Sequence, residues 1–136
     1  MSPKISKELA KHRLQQAKED LGDAELLFNN KRLLAANNRA YYSIFHAIRS
    51  VLALEAIDFK KHKNVLAYFN ENYVNKEIFP KSIGRKIARA SKTREDSDYD
   101  DDFTADEDQT ASQIQTAREL IKLVEKFINE VNNEEE

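Results

Sequence analysis

An all-α fold, an up-and-down bundle of four to five helices built around one long antiparallel helix hairpin, is predicted by three observations. The 136-residue chain contains only two glycines and two prolines, so few positions interrupt helical backbone. Its apolar residues recur at spacings of three and four, the period of one helix face. No segment alternates apolar and polar residues in the two-residue period of a half-buried strand.

Each element follows from that period. Leu14, Ala17, Leu21, Ala24 and Phe28 make the stripe of a first helix over roughly Ser6 to Asn30, with Gly22 a tolerated weak point. The Asn29-Asn30 pair ends it. A second helix runs from about Arg32 to Glu55, and so short a link makes the two an antiparallel hairpin. Val65, Leu66, Phe69 and Tyr73 mark a shorter third helix. Phe79-Pro80 starts a fourth, because proline is tolerated in a first helical turn, and Ile83, Ile87 and Ala90 follow. An acidic loop over 95–108 leads to a last helix bearing Ile114, Ala117, Ile121, Val124, Ile128 and Val131. The tail 132–136, Asn-Asn-Glu-Glu-Glu, is expected to fray. By length the whole of 1–136 is one domain, large enough for a core without disulfides or metals.

Composition narrows the function classes. With 22 basic against 24 acidic residues, a net charge of -2 argues against a nucleic-acid coat protein, although it leaves room for a local basic groove. The chain has no cysteine, so it has no disulfide framework and no thiol chemistry. The opening Met-Ser-Pro-Lys-Ile-Ser-Lys lacks an apolar signal core, and the longest wholly apolar run, Val51 to Leu54, is far too short to span a bilayer. A cytoplasmic protein with no membrane partner is expected.

The second helix carries the most informative stretch, Asn38 to His46. Seven steps at about 100° per residue leave Arg39 and His46 roughly 20° apart. They share a face with Tyr42, while Ala40, Tyr41, Ile44, Ile48, Val51 and Leu52 complete the apolar stripe opposite. That polar face is either a solvated or packed surface or part of a site.

Further along, the basic residues from Lys81 to Arg94 abut the acidic residues from Glu95 to Asp108. The basic block reads either as a phosphate-contacting helix or as a solvated face neutralised by its acidic neighbour. The acidic run imitates the ligand spacing of a calcium loop, Asp96, Asp98, Asp100 and Asp102 with Glu107 eleven positions after the first. Its sixth position is Asp101, where the sharp turn requires glycine. A solvated loop, or a surface meeting a basic partner, is the reading adopted, and no metal site is expected.

Three segments together carry a resemblance. Arg-Ala-Tyr-Tyr-Ser-Ile-Phe-His-Ala at 39–47, Lys-Lys-His-Lys-Asn-Val-Leu at 60–66 and Thr-Arg-Glu-Asp-Ser-Asp-Tyr-Asp at 93–100 resemble the motif blocks of the HEPN domain family. Their order and spacing fit its small stand-alone prokaryotic members over about Leu9 to Phe127. The resemblance implies a helical bundle, commonly a homodimer, encoded beside a minimal nucleotidyltransferase as a toxin–antitoxin pair. The HEPN member would act as a metal-independent ribonuclease that needs no cofactor. Such chemistry requires a base for the 2′-hydroxyl, an acid for the leaving oxygen, and cations for the phosphorane charge. The family pattern places an arginine, then four to six residues, then a histidine in the later helix. Here that position reads Arg94-Glu-Asp-Ser-Asp98-Tyr99, with no histidine.

Two functions are therefore expected as alternatives. In the first, Arg39, His46 and Arg94 are catalytic, with Tyr42, Lys61, His62, Asp98 and Tyr99 binding RNA or a nucleotide in a shared cleft. In the second, the HEPN domain is catalytically reduced and serves as the regulatory or substrate-binding partner of a nucleotidyltransferase. Tyr99 is also the expected position of adenylylation by that partner.

Overall fold

The computed structural model describes residues 2–134 and is helical throughout its regular elements, in the order α1 (Pro3–Asn29), α2 (Leu33–Ala53), α3 (His62–Phe69), a π-helical turn (Asn70–Val74), α4 (Lys81–Tyr99) and α5 (Glu107–Glu134). The all-α bundle with its hairpin is as expected, and the differences lie at helix ends. Helix α1 starts three residues before Ser6: the Ser2 hydroxyl accepts from the Ile5 amide at 3.3 Å and Pro3 takes the first position, a cap-plus-proline start.

Helices α1 and α2 close in the same way. Lys31 and Ala56 occupy the left-handed region at φ 62° and 57°, and the amides of Arg32 and Ile57 reach back to the carbonyls of Leu27 and Leu52 at 2.9 and 3.1 Å. Glu77, at φ 61°, closes the π-helical turn likewise, with the Ile78 amide on the Tyr73 carbonyl at 2.9 Å. All three are Schellman closures, and in each a residue other than glycine takes the left-handed position that glycine usually fills.

The hairpin α1–α2 is tight because small residues line its seam. Ser43 and Ser50 donate to the carbonyls of Ala17 and Ala10, both at 2.7 Å, and Ala10, Ala17 and Ala24 have no exposed surface. Each serine hydroxyl thus finds a buried acceptor, and the two bonds set the antiparallel register. Thirteen of the 21 residues of α2 are buried, which makes α2 the central helix. It packs on α1, α3, α4 and α5. Its remaining half-exposed stripe contains Arg39, Tyr42, His46 and Arg49.

Phe69, Tyr73, Phe79 and Phe127 form an aromatic cluster with centroids 5.1–6.1 Å apart. The Tyr73 hydroxyl leaves it to donate to Glu55 at 2.6 Å. Between α2 and α5 the Gln113 amide donates to Asn37 Oδ1 at 2.8 Å, a buried pair that satisfies two polar side chains in the core.

The acidic segment is shorter as a loop than 95–108. Residues 95–99 complete α4, and Glu107 and Asp108 begin α5, where carboxylates favour the positive end of a helix. Asp96 and Asp98 are therefore on helical backbone, paired with Lys92 and Arg94 one turn back at 3.3 Å each. Carboxylates on a helix cannot wrap a cation as a calcium loop does. Helix α5 continues through Glu134, into the 132–136 tail, and residues 135 and 136 lie outside the described residues.

Candidate functional site

The half-exposed stripe of α2 meets α3 and α4 along one side and the middle of α1 along the other. Tyr42 stands between the two. The guanidinium carbons of Arg39 and Arg94 lie 5.0 and 5.7 Å from its ring centroid, within cation–π range. Thus Arg39, His62 and Arg94, from three separate segments, all surround one aromatic ring, and His62 meets it edge-on at 5.8 Å.

On the α4 side, Arg94 projects over Tyr41 at 4.9 Å, and its Nη2 donates to the Tyr42 hydroxyl at 3.5 Å. Its Nη1 lies 3.4 Å from His62 Nδ1, and the Tyr41 hydroxyl reaches that same nitrogen at 3.1 Å. A guanidinium can only donate, so Nδ1 is the acceptor and the neutral imidazole carries its proton on Nε2. The ring is clamped flat against Phe45, with centroids 4.0 Å apart. Burial, then the charges of Arg94 and Arg49, hold His62 below the ordinary histidine range, so it is neutral at pH 7. Burial raises Tyr41 to about 12 and keeps its hydroxyl protonated. Arg94 Nε faces Asp98 at 3.3 Å as an ion pair without hydrogen-bond geometry.

This group borders a surface pocket of about 350 Å3, whose lining includes Lys61, His62, Lys63, Arg94, Asp98 and Tyr99. Lys61 and Lys63 are exposed beside the start of α3, and Tyr99 is 87% exposed at the end of α4. The pocket therefore collects three cations and a neutral imidazole against Glu95 and Asp98, an arrangement able to accept a phosphate oxygen.

On the α1 side the same residue types are used differently. Arg39 Nη1 donates to Asp20 at 3.2 Å, and its Nη2 to Asn38 at 3.1 Å. His46 Nε2 lies 3.7 Å from the other Asp20 oxygen, and its Nδ1 is buried with no hydrogen-bond partner among the described residues. Burial, then Arg49, Arg39 and Arg13, push His46 down to about 4. Asp20 does not reverse this, because Arg39 already engages it and burial raises its own carboxyl. Beyond His46, Arg49 and Arg13 share Asp58 at 2.7 and 3.4 Å.

Of the residues singled out from sequence, Tyr42, Lys61, His62, Arg94, Asp98 and Tyr99 thus come together around one pocket and its wall. Arg39 shares only the Tyr42 ring with them, and His46 is turned to Asp20. Three participants were not foreseen. Phe45, which stacks on His62, lies inside the motif already quoted. Asp20 becomes visible only once the register places α1 against α2. Tyr41 was assigned to the apolar stripe, and although its ring is buried, its hydroxyl serves His62. In the basic block of α4, Lys81, Lys86 and Lys92 are paired with Glu77, Glu119 and Asp96, while Arg85 and Arg89 are exposed.

The model of the HEPN domain matches residues 10–133 of the chain. A UPF0332 protein of Thermotoga maritima is 38% identical over 85 residues, 62% of this chain and 64% of that protein. "Putative toxin MJ0605" of Methanocaldococcus jannaschii is 35% identical over 89 residues, 65% of this chain and 66% of its own length. A UPF0332 protein of Pyrococcus horikoshii is 39% identical over 71 residues, 52% and 49% of the two chains. The matched region spans from about half to about two thirds of these relatives.

Proposed function

This chain belongs to the HEPN domain family, and from that premise we propose that it is the HEPN component of a toxin–antitoxin pair that holds an RNA or nucleotide phosphate in the Arg94–His62 pocket. Its partner in this reading is a minimal nucleotidyltransferase, its location the cytoplasm, and its working form a homodimer. Two relatives named as toxins support the toxin side of the reading. Among the described residues no helix is long and apolar enough to cross a membrane.

The observation that carries the binding role is the state of His62. Its Nδ1 lone pair is occupied by Tyr41 and Arg94, so at neutral pH the ring offers an N–H donor on Nε2 rather than a base. Together with Arg94, Lys61 and Lys63 it forms a set of donors for phosphate. His46 does not supply the missing base, because it is half-buried against Asp20 and the arginines.

A second reading, metal-independent RNA cleavage, rests on one feature of the same contact. If a bound phosphate draws Arg94 away and the Tyr41 hydroxyl turns with it, the His62 lone pair they share is released as a base. The two readings separate in one experiment: purified wild type, Arg94→Ala and His62→Gln are incubated with labelled single-stranded RNA, with anisotropy and gel readouts. The binding reading expects intact RNA and a loss of affinity of about tenfold or more in Arg94→Ala. Cleavage by wild type that disappears in His62→Gln would establish the second reading, and wild type that neither binds nor cuts RNA refutes both.

Tyr99 fits the modification role because its hydroxyl-bearing ring stands free at the pocket rim. In adenylylation the tyrosine oxygen would bond to the α-phosphorus of ATP as pyrophosphate leaves and the hydroxyl proton is lost. The adduct would place a negative phosphate beside Arg94 and close the pocket. Incubation with the partner transferase and ATP, followed by intact-mass measurement of wild type and Tyr99→Phe, checks it.

A further inference from the structure

Beside the cationic pocket runs a second depression that the phosphate-binding reading does not use. It is an apolar groove of about 280 Å3 between α3, the π-helical turn and α4. Phe69, Val74 and Ile87 form its buried floor, and Ala67 and Ala88 stand exposed on its two sides. Lys63 and Ser91 line both depressions, so the two are one continuous surface with a charged end and an apolar end.

Two further features shape the apolar end. Helix α4 approaches the π-helical turn so closely at Gly84 that a Cβ there would lie 2.6 Å from Val74 Cγ1. The same point is 3.5 Å from Asn70 Oδ1, which places the Asn70 carboxamide at the groove over Gly84. Among the described residues that carboxamide has no hydrogen-bond partner. A carboxamide offers both a donor and an acceptor, the pairing that the edge of a nucleobase answers.

We propose that this groove is a base-binding subsite: the nucleobase attached to the phosphate held by Arg94, His62 and Lys63 lies on Phe69, Val74 and Ile87, with Asn70 at its edge. The proposal rests on the phosphate-binding reading of the adjoining pocket and specifies its ligand as a nucleotide unit rather than a bare anion. The charged end supplies attraction for the backbone, and the apolar end supplies the contact that a base gains on leaving water. A free phosphate or a sugar–phosphate chain would occupy only half of the surface.

The test compares two labelled probes by fluorescence anisotropy: a short oligoadenylate and a ribose–phosphate chain of the same length without bases. Wild type is expected to bind the oligoadenylate about tenfold more tightly or better. The double variant Ala67→Leu, Ala88→Leu fills the groove from two exposed positions and leaves the core untouched. It is expected to lose that preference while binding the base-free chain as wild type does. Asn70→Leu should lose part of the preference. Equal affinity of wild type for the two probes, or a preference that survives in the double variant, overturns the base subsite and leaves the phosphate reading standing. Failure of wild type to bind either probe overturns both.

Discussion

On one side of the exposed face of α2, Asp20 neutralises Arg39 and faces an uncharged His46. On the other, Arg94, His62 and Asp98 border an open pocket. The residue types are the same and the outcome is opposite, because the two carboxylates differ in position. Asp20 comes from the facing helix, retains 14% of its side-chain exposure, and contacts both the arginine and the histidine. Asp98 lies one turn along the arginine's own helix, is 40% exposed, and pairs with Arg94. How much of an arginine–histidine pair stays open to solvent therefore depends on where its acid stands, which spacing along the chain does not reveal.

The largest effect that would sharpen this contrast is on stability at the closed side. Asp20→Ala leaves a partly buried guanidinium and a half-buried imidazole without their carboxylate, and is expected to cost about 2 kcal/mol. Urea unfolding measures it, and a loss no greater than that of Asp98→Asn would erase the distinction between the two sides.

A second effect follows from pH and, over the first unit below about 6.5, is smaller. Because His46 is held at about 4 against an ordinary 6.5, the unfolded chain binds a proton between those values that the folded chain excludes. Its contribution is thus complete above about 6.5 and is lost as the pH falls towards about 4, with a slope of at most about 1.4 kcal/mol per pH unit. His62, also lowered, acts in the same direction. The raised Asp20 carboxyl opposes it near the bottom of the range. Unfolding curves collected from pH 7 to about pH 4 should flatten in His46→Gln, and an unchanged slope would remove His46 from the account.

The smallest effect belongs to Asp98→Asn. As a half-exposed, same-helix pair with Arg94 it should change stability by no more than about 0.5 kcal/mol. Removing its charge from the pocket should tighten RNA binding severalfold, an increase that fades with added salt. Weaker binding would instead assign Asp98 a direct role in holding the ligand.

Much of the fold could be read from periodicity: the three–four stripes located every long helix, and the short link after Asn30 implied the hairpin. Helix ends were less legible, because Lys31, Ala56 and Glu77 adopt the left-handed closures that a reader expects of glycine. The site was legible in part. Arg39, His62 and Arg94 were picked out by residue type and motif, and they do surround Tyr42. The role of Tyr41 was hidden because a stripe assigns a side chain to one environment, while a tyrosine can bury its ring and extend its hydroxyl elsewhere.

By itself the sequence determined the all-helical class, the order of the helices and the set of cations available to a site, since these depend on local spacing and residue chemistry. Only the tertiary structure decided which of those cations remain open to a ligand. The seam of Ala10, Ala17, Ser43 and Ser50 sets how α1 slides along α2, and that register brings Asp20 to Arg39 and His46. Charge on a side chain is a local property, whereas its neutralisation depends on distances between helices, which only packing sets.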